Sequence, residues 1–249
     1  MQTLSKNKIS HISSLHQKKY RFEWNEFLVE GKKSVEEFLR SGYELACLVL
    51  ANEDAFEIQQ FPIEKVYVAN EKDRQKISAL TTAPDVLAVF KMKISKNIDF
   101  SQSLSLVLDG VRDPGNLGTI IRTADWFGIQ NIYCSLDSVD CFNPKVVQAT
   151  MGSLSRISVH YSDLTELMQK AKSFNDFPIM GAYMEGENIA KVKFGGKGFL
   201  VMGNESEGIR KEIESFISKK ISIPKSVHSN AESLNVSVAT AVLCYSLTM

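Results

Sequence analysis

The sequence predicts an α/β protein in which a parallel sheet is covered by helices on both faces, preceded by a smaller α/β unit. Three observations predict it. Continuous apolar runs alternate with helical stretches along residues 104–249, the pattern of strands buried on both faces. Polar, glycine-bearing loops follow several of those runs, where open parallel sheets carry their ligands. The pattern breaks once, at "KISKNIDFSQ", whose polar residues show no periodicity. This places a linker at 93–103, between an N-terminal unit of residues 1–92 and a larger one of residues 104–249.

In the first unit, "FLVEGKKSVEEFLRSG" reads as a helix with a glycine at its end. "LACLVLA" and "EKVYVA" read as short strands, "EKDRQKISALT" as a helix and "VLAVFKM" as another strand. Beyond the linker, "LSLVLDG" is an apolar run ending in a turn, followed by the helix "NLGTIIRTADWFGI". Then come "NIYCS" (extended), "PKVVQATMG" (helical), "RISVH" (extended) and "DLTELMQKAKS" (helical). "FPIMGAYM", "GFLVMGN" and "KISIP" are further strands; "IRKEIESFI" and "SLNVSVATAVLCYSL" are helices. No charged residue occurs from Ser233 to Met249, so the last helix is expected to be buried.

The 249 residues are 44% hydrophobic and 23% charged, an ordinary globular balance. No apolar run suits a membrane span, and the N-terminus lacks the apolar core of a signal peptide. Cys47, Cys134, Cys141 and Cys244 form no CxxC pair, so neither a zinc site nor a disulfide framework is expected, and the compartment reads as reducing and cytoplasmic. Net charge is zero, but residues 1–22 hold Lys6, Lys8, Lys18, Lys19 and Arg21 and no acid. Such a stretch is either a solvated tail or an arm for nucleic acid.

Three segments combine glycine, amide, carboxylate and guanidinium groups just beyond strands. In "LDGVRDPGNLGTIIRTADWFGI", Pro114, Gly115 and Gly118 open a helix with free N–H groups, and Asn116 and Arg122 lie six residues apart. It is neither GxGxxG nor a P-loop. Asn116 as a helix cap and Arg122 as a surface residue are the ordinary alternative. In "LVMGNESEGI", Gly203 is followed by Asn204, Glu205 and Glu207; helix-capping acids would explain it as well. In "ISIPKSVHSNAESLNVSVATAV", Ser233 or Asn230 could cap the helix. Capping needs one side chain, however, and Asn230, Glu232, Ser233 and Asn235 all crowd that end.

Together these segments resemble the three motifs of the SpoU (TrmH) family of RNA ribose 2′-O-methyltransferases, of the SPOUT class, in text, order and spacing. "NPKVVQATMGSLSRISV" resembles the family's connecting segment. Residues 16–92, through "FLVEGKKSVEEFL" and "TTAPDVLAVF", resemble its L30e-like substrate-binding domain. The resemblance implies a C-terminal trefoil knot, a homodimer with the active site near the subunit interface and S-adenosylmethionine as methyl donor; because the sulfonium already carries a good leaving group, no metal is required. It departs at "KSVHSNAE", a long motif-3 loop without glycine, and His228 within it is assigned no role.

By the same resemblance, Arg122 is the central catalytic residue. Guanidinium keeps its proton below pH ~12, so Arg122 is expected to hold the phosphate of the target nucleotide rather than act as a base. Asn116 would orient Arg122 or the ribose, Glu205 would order its loop, and Ser233 and Asn235 would hydrogen-bond across the site. Gly203, Ile223 and Leu234 stand at the cofactor-binding positions, Gly203 because a side chain there would block approach. Lys18, Lys19 and Arg21 are the expected RNA contacts. The substrate implied is ribosomal RNA, with transfer RNA second. A non-catalytic RNA-binding module and a nucleotide-dependent oxidoreductase are the competing classes; the missing GxGxxG argues against the latter.

Overall fold

The computed structural model describes residues 2–93 and 103–249, so the linker expected at 93–103 lies outside the described residues except at its two ends. In chain order the elements are β1 (Gln2–Thr3), α1 (Lys6–Ser14), α2 (Lys18–Trp24), β2 (Glu26–Glu30), α3 (Lys32–Arg40), β3 (Leu45–Leu50), β4 (Val66–Val68), α4 (Glu71–Ile77) and β5 (Val86–Lys91). There follow β6 (Leu104–Asp109), α5 (Pro114–Trp126), β7 (Asn131–Ser135), α6 (Pro144–Thr150), β8 (Ser158–Ser162), α7 (Leu164–Lys172), β9 (Ile179–Asn188), β10 (Gly198–Gly203), α8 (Lys211–Glu214), β11 (Lys219–Ser222) and α9 (Val236–Thr248). Among the described residues, those up to Lys93 together with Asp140–Arg156 form one compact unit; those between the linker and Val139, with Ile157–Met249, form the second.

The first unit is built on a mixed sheet of order β1-β4-β3-β5-β2. The expected helix from Phe27 to Gly42 is in fact a strand and a helix. Glu26–Glu30 pairs antiparallel with β5, from Glu26↔Lys91 to Glu30↔Leu87, and all five of its residues are buried. Gly31, at φ +91°, then turns the chain into α3. A strand buried on both faces has no alternation, so periodicity could not separate it from the helix that follows. Phe27, Phe38, Tyr43, Phe90 and Phe142 cluster over β2, with the rings of Phe27 and Phe142 4.7 Å apart. Phe142 comes from the segment expected to connect strands of the second sheet; that segment, with α6, packs on β2. The basic N-terminal stretch is no solvated tail: it forms β1, α1 and α2.

The second unit is the expected parallel sheet, ordered β11-β9-β10-β6-β7-β8 with every pairing parallel. β6 is buried along its whole length. Val107, Tyr133, Phe199 and Val201 meet Leu164, Leu167 and Met168 of α7 in one core. The expected helix "IRKEIESFI" shortens to the four residues of α8. The last helix begins later than expected, at Val236, so Ser233 and Leu234 precede it. Nor is it buried all round: Val238, Val242, Tyr245 and Met249 are exposed. The described residues contain no helix long and apolar enough to cross a membrane.

Candidate active site

Three loops at the carboxyl ends of β6 and β10 and after β11 carry the expected site residues, and a chain of side-chain amides ties them together. α5 is capped by Asp113, whose Oδ1 accepts from the Asn116 N–H at 2.8 Å. Asn116 is therefore not the cap, and its side chain is free for another task. Its Nδ2 donates to Glu205 Oε1, and its Oδ1 accepts from Asn235 Nδ2 at 2.9 Å. Asn235 is the N-cap of α9: its Oδ1 accepts from the N–H groups of Ser237 at 2.9 Å and Val238 at 3.4 Å. Each amide is thus oriented. The helix N-terminus claims the oxygen of Asn235, which turns its NH₂ to Asn116; Asn116 then has only its NH₂ to offer the Glu205 carboxylate.

The Glu205 loop is shaped by its own backbone. Asn204 and Gly208 exchange both backbone hydrogen bonds, at 3.1 and 3.2 Å, and Asn204 Oδ1 accepts from Ser206 and Glu207 N–H. This closure explains Gly203, for a reason other than ligand approach: a Cβ there would lie 2.1 Å from the Gly208 carbonyl carbon. Just beyond the loop, Arg210 donates its backbone N–H to Asp109 Oδ2 at 2.8 Å and its Nε to Oδ1 at 2.6 Å. Asp109 is fully buried at the end of β6. Its hydrogen bonds hold the Arg210 guanidinium above its ordinary range, against the opposing effect of burial. Arg112 donates to Asp137 at 2.8 Å, and that bond, with one from Ser135, keeps the Asp137 carboxyl below the usual carboxylate range.

Beside these loops lies a cavity of about 950 Å³. Gly203, Ile223 and Leu234 all line it, as do Glu205 and Ser233. Asn116, Arg122 and Asn235 do not line it. Ser233 is exposed, and no hydrogen bond from it to any described residue is present, unlike the expected bond across the site. Arg122 is exposed on α5, in no ion pair among the described residues. Arg21, expected to contact RNA, is corrected: it is 1% exposed, and its guanidinium donates to Asp140 Oδ2 at 2.6 and 3.0 Å. Lys18 and Lys19 are exposed. Sequence reasoning gave no part to the Asp109–Arg210 pair or to Tyr183. Tyr183 lines the cavity, its hydroxyl is buried without a partner among the described residues, and burial pushes it up to about 12. The signal available for Tyr183 was its place just after the apolar run "FPIM".

The cavity fits a compact cationic ligand better than a phosphorylated one. Met202, Ile209, Ile221 and Leu243 give it apolar walls. Five glutamates, including Glu205 and Glu232, line it against two lysines; with Lys220 paired to one of the five, Glu214, at 2.5 Å, four glutamates face Lys225 alone. Such a rim repels phosphate and favours a sulfonium. In size it falls within the range of ligand pockets, about 300–1,000 Å³.

Comparison with known proteins agrees. Residues 103–245 match the SpoU rRNA methylase family, and residues 6–88 match the MRM3-like substrate-binding domain. The chain is 28% identical over 247 residues to the Bacillus subtilis 23S rRNA (guanosine(2553)-2′-O)-methyltransferase RlmP, covering 99% of this chain and 98% of that protein. It is 36% identical to a structure of the TrmH family from Porphyromonas gingivalis, with a TM-score of 0.88 over 98% of both chains. An AdoMet-bound rRNA methyltransferase from Sinorhizobium meliloti matches at 29% identity and TM-score 0.88, over 99% of this chain and 96% of that one. The three loops joined through Asn116, and the fold that carries them, have the same origin: the chain belongs to the SpoU rRNA methylase family.

Proposed function

We propose that this protein methylates a ribose 2′-hydroxyl of ribosomal RNA with S-adenosylmethionine as donor. The observation that carries the reading is the hydrogen-bonded chain Glu205–Asn116–Asn235, which joins all three motif loops beside the acidic-rimmed cavity. The donor, when bound, supplies an activated methyl group on a good leaving group. Gly203, Ile223 and Leu234 would hold it, the two apolar side chains against its adenosine and the glutamate rim around its positive charge. The protein's remaining task is alignment of the ribose oxygen with the methyl carbon and sulfur. Arg122 would grip the phosphate of the target nucleotide and offset negative charge developing on that oxygen. Ser233, at the cavity wall just ahead of Asn235, would meet the ribose.

Two finer readings accompany it. Val238, Val242, Tyr245 and Met249 recur on one face of α9 and, with Trp126 at the end of α5, expose more apolar surface than a lone subunit needs; a second copy is the proposed cover. α9 returns to pack on α5 and β10, which supports threading of the C-terminal segment into the family's knot. The proposed working compartment is the cytoplasm, in keeping with four buried cysteines that form no disulfide.

A thermal melt with each ligand tests the donor. S-adenosylmethionine or S-adenosylhomocysteine at a hundredfold excess over its dissociation constant should stabilise the fold by about 2.7 kcal/mol. A shift with NAD and none with either adenosyl ligand would overturn the reading. Mapping ribose methylation in total RNA with and without the gene then separates ribosomal from transfer RNA.

A further inference from the structure

Helix α2, "KKYRFEW", is amphipathic in reverse. A helix that joins a core buries apolar side chains and exposes charged ones. Here the only fully buried residue is Arg21, held by Asp140 and by the carbonyls of Leu15 and His16 at 2.8 and 3.0 Å. The aromatic residues face out instead: Phe22 is 49% exposed and Trp24 45%. With an ion pair anchoring the helix, each of these aromatic residues stays about half exposed. Lys18 Nζ stands 5.8 Å from the Phe22 ring, and Lys19 Nζ 5.6 Å from the Tyr20 ring. The His11 ring meets Trp24 edge-on at 5.1 Å and is itself held by Glu26 at 2.7 Å, which steadies the indole. Residues 2–22 contain no acid, and Glu23 is the one carboxylate on the helix.

We propose that α2 is a stacking platform for unpaired RNA nucleotides, with bases on Phe22 and Trp24 and phosphates on Lys18 and Lys19. The proposal rests on RNA being the substrate. The ligand is unpaired because a duplex covers the faces of its bases, whereas every unpaired base offers a π-face to an aromatic ring. It is nucleic acid rather than protein because the rings are interleaved with lysines and almost no acids. Phe22 and Trp24 are two residues apart and lie on opposite flanks of a helix about 10–12 Å across, so the strand crosses α2 rather than running along it.

The test titrates the full-length protein with a twelve-residue oligouridylate and, at equal phosphate concentration, with a blunt twelve-base-pair RNA duplex. Tryptophan fluorescence is followed in the wild type and in Trp24→Phe. Oligouridylate should quench a component that Trp24→Phe removes, and the duplex should not. Phe22→Ala and Trp24→Ala should each weaken oligouridylate binding by roughly five- to a hundredfold, as loss of one stacked base does. Lys18→Ala should lower the salt slope by about 0.7. Equal quenching by duplex, or unchanged affinity in both aromatic variants with melting temperatures intact, would overturn the platform. Methyl transfer to total ribosomal RNA, measured on the same samples, keeps the two readings apart: activity that survives while oligouridylate binding ignores Phe22 and Trp24 refutes the platform and leaves the enzyme standing.

Discussion

Arg21 and Arg122 each belong to a helix whose text gives no hint of how they differ, yet one closes its unit and the other stands open. Arg21 on α2 is buried and spends four hydrogen bonds on Asp140 and two backbone carbonyls. Arg122 on α5 is exposed and unpaired among the described residues. The contrast extends to their units. In the first, Glu26 is taken by Lys91 and His11, Glu30 by Ser78 and Arg74 by Asp85. In the second, among the described residues, the side chains of Asn116, Glu205 and Asn235 bond to one another and to the start of α9, and Glu205 lines the cavity. Polar groups that satisfy each other inside a fold have no capacity left for a ligand; polar groups that are ordered but exposed do.

Three measurements would break or sharpen this contrast. The largest effect is expected at the closed arginine. Arg21→Ala leaves the Asp140 carboxylate buried without its partner and should cost about 3–5 kcal/mol of stability, measured by urea unfolding. Adding Asp140→Leu should restore much of it, because the uncompensated charge is gone. A loss below about 1 kcal/mol in the single variant would mean that the buried Arg21–Asp140 pair does not close its unit energetically.

The open arginine should fail in the opposite way. Arg122→Ala should leave unfolding unchanged but slow single-turnover methyl transfer by about 10²–10³-fold, the scale of one charge-stabilising donor. Arg122→Lys keeps the charge and loses the planar fork, so near-full activity in that variant would replace two-pronged holding with a simple charge effect. Normal turnover in Arg122→Ala would remove Arg122 from the chemistry.

The smallest effect belongs to Asp137, which is held yet exposed. Hydrogen bonding from Arg112 and then from Ser135 lowers its folded-state pKa. Its contribution is therefore present above the unfolded value of about 4 and lost as pH falls through the depressed one. With 38% of the side chain exposed, that contribution should stay under about 1 kcal/mol and shrink with salt. Asp137→Asn should accordingly flatten the acid limb of the stability–pH curve slightly. An identical acid limb in both proteins would show that the pairs with Arg112 and Arg210 carry no net stability.

Much of the second unit was legible in the sequence because its physics is local. Strands buried on both faces read as apolar runs, so the parallel sheet could be named in advance, while the resemblance to the family marked the residues of the three motif loops. Gly203, Ile223 and Leu234 were placed by the same motifs, and all three border the cavity. What failed was equally physical. β2 and α3 merged into one expected helix because burial on both faces erases alternation, and only pairing with β5 distinguishes a strand from a helix there.

By itself, then, the sequence determined the fold class, the order of the elements in the second unit and the residue types at the ends of β6, β10 and β11, since these follow from hydrophobic pattern and turn chemistry within short windows. Tertiary structure alone decided which polar groups were already taken. Asp140 lies 119 residues from Arg21, Asp109 lies 101 from Arg210, and Asn116 is 89 from Glu205 and 119 from Asn235. No local rule reaches that far, because a side chain's availability depends on what the folded chain brings within about 3 Å of it.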